Sequence, residues 1–150
     1  MAYLNCFFHY VFRTKGSLRV LDGDAVPALY RFIGSVSENL GCHIHMINGM
    51  SDHIHIAVEM PADVSPSDYM REVKGRSSRW ITERRLFCGF QGWGRSYFGS
   101  TFSKKDLQRV VNYISNQQVH HQKVSLREEL ESFFESAGLS EKFRYFVADD

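Results

Sequence analysis

His53 and His55 sit in the stretch Ser51-Asp52-His53-Ile54-His55-Ile56-Ala57-Val58, where apolar Ile54, Ile56 and Val58 alternate with His53, His55 and Ala57. Such alternation marks a short β-strand, whose side chains switch faces at every residue. The two imidazoles therefore project from one face, one pleat apart. Held that way they can grip one metal ion and leave its other positions open. A half-buried strand with two histidines on its solvated face would carry the same pattern. Tyr113 and Gln117 stand four apart in a segment of helical period, one above the other on a single helix face. Taken alone, that pair is ordinary surface decoration. Both pairs acquire meaning only from the elements that must bring them together.

Tyr3 to Arg13 is aromatic and β-branched without clean alternation, as expected of a first strand buried on both faces. A helix from about Asp24 keeps its period through Leu29, Ile33 and Val36 and stops at Gly41. His43 to Ile47 reads as a second strand, Asn48-Gly49 as a tight turn and Ile54 to Val58 as the hairpin partner, which keeps His43 and His45 as candidates for a supporting role beside the first histidine pair. Ser67 is expected to cap a helix that runs to about Arg85 and carries Arg71, Lys74, Arg76 and Arg79, either a basic surface or a solvated face. Phe87 to Phe102 mixes glycines with Phe90, Trp93, Tyr97 and Phe98, a strand entered through an aromatic loop suited to stacking on bases or to closing a core. Ser103 then caps one long helix, Lys104 to about His121, and a last helix spans about Ser125 to Ser136, burying Leu126, Leu130 and Phe133. The order gives an α+β, ferredoxin-like split β-α-β arrangement, an antiparallel sheet with helices on one face.

A chain of 150 residues, 43% hydrophobic and 23% charged, reads as one soluble globular domain, with a core over about 3–122 and a helical tail over about 123–150. No segment has the pattern of a signal peptide or of a membrane span. Cys6, Cys42 and Cys88 are odd in number and far apart, which points to reduced thiols in a cytoplasmic protein and against a cysteine zinc site. The net charge of +1 conceals an asymmetry: residues 124–150 hold seven acids against three bases, leaving a balance of +5 on the remainder. That balance is compatible with a nucleic-acid partner without requiring one.

His-hydrophobic-His on a strand, followed by a lone helical tyrosine in a small split sheet, resembles the HUH single-strand endonucleases. Within them the chain is similar to the single-tyrosine transposases of small bacterial insertion sequences, the IS-two-hundred-like family. His9 to Lys15 is similar to that family's first strand, Asp52-His53-Ile54-His55 to its HUH strand, Lys74 to Arg79 to its basic helix, and Tyr113 to His121 to its catalytic helix. Ser51 stands where a proline commonly precedes the Asp-His pair.

The resemblance implies a metal-dependent enzyme that cuts and rejoins single-stranded DNA with hairpins near its ends. It implies Tyr113 as nucleophile, with His53, His55 and Gln117 holding Mg2+ or Mn2+. Nitrogen ligands favour manganese over magnesium on affinity, so abundance decides for magnesium. Attack by Tyr113 would leave a 5′-phosphotyrosine and a free 3′-hydroxyl, conserving the phosphoryl energy so that rejoining needs no ATP. Arg13, Lys15, Arg71, Lys74, Arg76, Arg79 and Trp93 are the expected DNA contacts; Asp52 and His120 are expected to support the site. The family also implies a homodimer with active sites shared between chains, the tyrosine helix being mobile about Phe98-Gly99-Ser100-Thr101. Competing readings are a replication initiator or relaxase, a domesticated transposase-like protein acting on repeated genomic hairpins, a non-catalytic ferredoxin-like nucleic-acid-binding module, and a structural zinc staple.

Overall fold

The computed structural model describes residues 1–149. Four strands, β1 (Cys6–Thr14), β2 (His43–Met50), β3 (His53–Met60) and β4 (Trp93–Phe102), form one antiparallel sheet in the order β2-β3-β1-β4. Helices α1 (Ala25–Asn39) and α2 (Pro66–Arg84) follow the first and third strands, giving the expected α+β split arrangement. After β4 come a short 3-10 turn, α3 (Leu107–Ser115), α4 (Gln117–His120), α5 (Leu126–Ser136) and α6 (Phe143–Ala148).

Alternation along the central strands sorts the two faces. Tyr10 and Phe12 of β1 point with Ile54, Ile56 and Val58 of β3 into the main core, against Leu29, Ile33 and Val36 of α1 and Met70, Val73 and Ile81 of α2. The intervening residues, His9, Val11, Arg13, His53, His55 and Ala57, project from the opposite face. That second face is covered too: α3 packs Val110 and Ile114 on Ala57, and α5 and α6 pack Leu130, Phe134, Phe143 and Phe146 on Val11 and Phe98. The two helices expected on one face are there, and the C-terminal third covers the other.

Three local expectations shift. The hairpin turn is Ser51-Asp52 rather than Asn48-Gly49, because β2 continues to Met50. Gly49 is needed inside the strand: a Cβ there would lie 2.1 Å from the His53 carbonyl oxygen. Ser65, not Ser67, caps α2, its hydroxyl accepting from the Asp68 N–H at 3.1 Å, with Pro66 in the first turn. The long C-terminal helix is two: Asn116, at φ −98° and ψ 19°, ends α3 and begins α4. The carbonyls of Ile114 and Ser115, which lose helical partners at that break, accept from the Asn48 side-chain amide at 2.9 and 3.3 Å. Gln118 in turn donates to Asn48 Oδ1 and the Gly49 carbonyl, both at 3.0 Å. The hairpin strand β2 thereby fixes where the tyrosine helix ends.

Candidate active site

Strand β3 presents His53 and His55 from one face, as its alternation requires, yet neither is solvated: both are 0% exposed. The correction has a simple cause, since α4 and α5 lie over that face. Each ring is held at both nitrogens. His53 Nδ1 meets Asp52 Oδ1 at 2.7 Å, and its Nε2 faces Gln117 Oε1 at 3.2 Å. His55 Nδ1 meets His9 Nε2 at 2.8 Å, and its Nε2 meets Glu129 Oε1 at 2.9 Å. Asp52 is thus both a turn residue and the group that orients His53. His43 and His45 are elsewhere: β2 pairs His43 with Glu59, at the far end of the hairpin from His53. They bond Glu38 and Glu59 instead, at 3.0 and 3.1 Å.

Tyr113 of α3 and Gln117 of α4 meet the histidines despite the break between their helices. The His55 and Tyr113 rings have centroids 6.0 Å apart. The Tyr113 hydroxyl donates to Glu129 Oε2 and lies 3.1 Å from His120 Nε2. Gln117 is fully buried and donates to the same carboxylate oxygen at 3.2 Å. His120, expected to support the site, therefore stands beside the phenol.

Glu129 is the residue that sequence reasoning missed. Oε1 faces His55, His121 at 3.2 Å and His53 at 3.6 Å; Oε2 faces Tyr113, Gln117 and His120. A signal for it existed. Glu129 falls three residues after Leu126 and four before Phe133, on the apolar face of its own helix, where a lone carboxylate needs an explanation. His9 carried a similar signal, being an imidazole in a strand expected to be buried on both faces.

Burial alone would raise the Glu129 carboxyl pKa, but the hydrogen bond and charge of His55, the Tyr113 hydroxyl and His53 outweigh it and hold the group well below the carboxylate range. Burial lowers His55 to about 4, against the opposing pull of Glu129, and lowers His9 to about 3, helped by His55. Neutral imidazoles are the form that binds a metal. Burial and then the Glu129 carboxylate push the Tyr113 phenol far above its ordinary value. The donor set suits a divalent ion: among the described residues, ligand atoms of His53, His55, His121 and Glu129 all lie within 4.8 Å of one another. Gln117 Oε1, facing His53 Nε2, is a further oxygen donor in the same cluster.

A family model described as Transposase IS200 like matches residues 2–117. The chain belongs to the IS200-like transposase family. The transposase for insertion sequence element IS200 of Salmonella typhimurium is 28% identical over 118 residues, 75% of this chain and 77% of that protein. The ISDra2 transposase TnpA of Deinococcus radiodurans is 22% identical over 115 residues, covering 73% and 82% of the two chains. In fold, this IS200-like transposase is similar to a putative transposase from Deinococcus radiodurans R1, with a TM-score of 0.61, 21% identity and coverage of 78% and 95%. It is also similar to a REP-associated tyrosine transposase bound to a REP hairpin, with a TM-score of 0.57, 18% identity and coverage of 83% and 73%. His53, His55, Tyr113 and Gln117 of this IS200-like transposase lie within the matched residues; His120, His121 and Glu129 lie beyond them.

The expected DNA contacts of this IS200-like transposase are dispersed. Arg13 is buried, donating to the Phe146 and Val147 carbonyls and stacking its guanidinium 4.5 Å from the Phe146 ring centre. Trp93 belongs to the main core and donates its indole N–H to Ser77 Oγ at 3.0 Å. In this arrangement neither faces solvent as an open DNA contact would. Lys15 and Arg79 are exposed. Arg71 and Arg76 pair with Asp68 and Glu72 at 2.9 and 2.8 Å, and Lys74 donates to the Arg95 carbonyl at 2.9 Å. The basic helix α2 lies across the sheet from the histidines. On the histidine side, a cleft of about 530 Å³ has Arg13, Arg19, Asp52, His121 and Arg127 in its walls. No helix among the described residues is long and apolar enough to cross a membrane.

Proposed function

We propose that this chain cuts and rejoins single-stranded DNA at hairpin-bearing ends through a covalent 5′-phosphotyrosine link. The observation that carries the reading is the meeting of the Tyr113 hydroxyl with the buried pair His53 and His55 around one carboxylate, so that a nucleophile and a metal-binding pair share one cluster. Tyr113 Oη forms the new bond to phosphorus while the bond from phosphorus to the 3′-oxygen breaks, and that oxygen leaves as a 3′-hydroxyl. His120 Nε2, 3.1 Å from the phenol oxygen, accepts the phenol proton and returns one to the leaving oxygen. Asp52 and His9 fix the rings of His53 and His55 in the orientation that points Nε2 into the site. Bound by His53 and His55 with Gln117, Mg2+ or Mn2+ would draw charge from a non-bridging phosphate oxygen. Reversal with a different 3′-hydroxyl joins two strands without ATP.

The likeness to a transposase bound to a REP hairpin supports hairpin DNA as substrate, either at the ends of a mobile element or at repeated genomic hairpins. A homodimer with sites shared between chains is part of the proposal: β4 is an edge of the sheet and ends at Phe102, just before the turn into α3. Phe98 to Thr101, expected as the hinge of the tyrosine helix, instead lie within β4 and pair with Phe8 to Val11 of β1, so any movement of the helix must begin beyond Phe102.

The test is a single-stranded hairpin oligonucleotide labelled at its 3′ end and run on a denaturing gel. A protein adduct should form with Mg2+ or Mn2+ and disappear with chelator. Tyr113→Phe should abolish it while costing about 1 kcal/mol of stability, the worth of one hydrogen bond, and leaving hairpin binding in place. A normal adduct yield from that variant would remove Tyr113 as the nucleophile.

A further inference from the structure

The reacting phosphate must place one oxygen at the metal ligands and its phosphorus beside Tyr113. In this structure a carboxylate already spans those two positions. Glu129 Oε1 is 2.9 Å from His55 Nε2, 3.2 Å from His121 Nε2 and 3.6 Å from His53 Nε2, while Oε2 accepts from the Tyr113 hydroxyl and from Gln117. Glu129 is itself 2% exposed, and His53, His55 and Gln117 are 0% exposed. A DNA strand has no access to a site closed in this way.

We infer that Glu129 is an internal stand-in for the scissile phosphate: α5 seats it as a fourth ligand beside His53, His55 and His121, and DNA must displace α5 before it can be cut. This rests on the proposed nuclease reading of the same site.

Three further observations support it. The segment that carries Glu129 lies outside the residues matched by the family, which end at 117. It is acidic, with seven acids against three bases over 124–150, facing a remainder that carries +5. A polyanionic tail lying on the histidine face competes with DNA for the same cationic body. Finally, α5 and α6 are held by their own cluster, Val11, Phe98, Leu130, Phe134, Phe143 and Phe146, separate from the main core. They can lift away without opening the packing between the sheet and α1 and α2. Mg2+ and Mn2+ take six ligands, and the position that faces Tyr113 is the one a reacting phosphate oxygen must take; Glu129 occupies it here. Removing Glu129 frees that position.

The test compares the full wild-type chain with Glu129→Gln, which keeps the side-chain shape, and Glu129→Ala. Mn2+ affinity by calorimetry should fall by about tenfold or more in both variants. Adduct formation on the hairpin oligonucleotide, at saturating Mn2+, should be about tenfold faster or more than in wild type, an effect of about 1.4 kcal/mol. Unchanged Mn2+ affinity would overturn the contact with the ion. Slower adduct formation at saturating metal would overturn the stand-in role and make Glu129 part of the reaction. If no chain forms an adduct, the nuclease reading fails. Displacement is then judged by hydrogen exchange of the α5 amides in wild type. Oligonucleotide binding should speed that exchange, and unchanged protection overturns the proposal.

Discussion

His53 and His55 are buried groups, and burial changes what their loss should cost. Truncating His53 removes a ring held by Asp52 on one side and Gln117 on the other, leaving both without that partner inside the protein. His53→Ala should therefore lose about 1–3 kcal/mol in urea unfolding as well as metal affinity in calorimetry. Stability equal to wild type would show that solvent already reaches the ring. The neutral imidazoles of His9 and His55 also fix the pH dependence of the metal-free protein. Unfolded, each takes a proton near 6.5; folded, His55 resists until about 4 and His9 until about 3. Below 6.5 the unfolded chain binds more protons, so stability is full above that pH and falls as pH drops toward 4. Each histidine contributes a slope of up to about 1.4 kcal/mol per pH unit. The depressed Glu129 carboxyl adds loss in the same direction at lower pH. Melting temperatures of chelator-treated protein between pH 7 and 4 are the check, and a flat profile from 6.5 to 4.5 would contradict it.

At the scale of elements, the hairpin of β2 and β3 sets the candidate site as much as any single side chain does. Gly49 lets β2 pass close to the His53 backbone, and Asn48 beside it takes the final carbonyls of α3. One strand thus governs the positions of both the histidine pair and the tyrosine helix. Gly49→Ala puts a methyl group where the His53 carbonyl oxygen lies, and the strands must part to admit it. The expected loss is about 1–3 kcal/mol in urea unfolding, together with weaker Mn2+ binding by calorimetry because His53 moves with its backbone. A variant as stable as wild type, binding Mn2+ equally well, would show the pairing of β2 with β3 to be more compliant than this packing allows.

Over the whole molecule, the site is assembled from both ends of the chain, with His9 from the first strand and Glu129 from the fifth helix. The Tyr113 hydroxyl sits at the histidines of its own chain. In the proposed homodimer this is one of two dockings open to α3 and α4, the other being on the partner's sheet. Either docking requires Tyr113 to leave Glu129. Mixing Tyr113→Phe subunits with His53→Ala subunits separates the cases. Shared sites should return adduct formation to the mixture although each variant alone gives none. A mixture that stays silent, with both variants folded, would place the whole site within one chain.

Local pattern alone determined a good deal here. Alternation around His53 and His55 defined a strand and put both rings on one face, and the order of periodic segments defined the split β-α-β sheet. The spacing of Tyr113 and Gln117 directed them to one place even though Asn116 breaks the helix between them. These features depend on backbone geometry over a few residues, which a sequence displays directly. Burial of that face, the turn at Ser51-Asp52, the inward placement of Arg13 and Trp93 and the central position of Glu129 were decided by tertiary structure. Each depends on which surface of a distant segment arrives opposite, and no local period encodes that. Glu129 shows the limit most clearly. Its place on the apolar face of α5 is visible in the sequence, but the four histidines, the tyrosine and the glutamine around it are contributed by β3, α3, α4 and the residue just beyond, and only the packing of α5 onto the sheet brings them to one carboxylate.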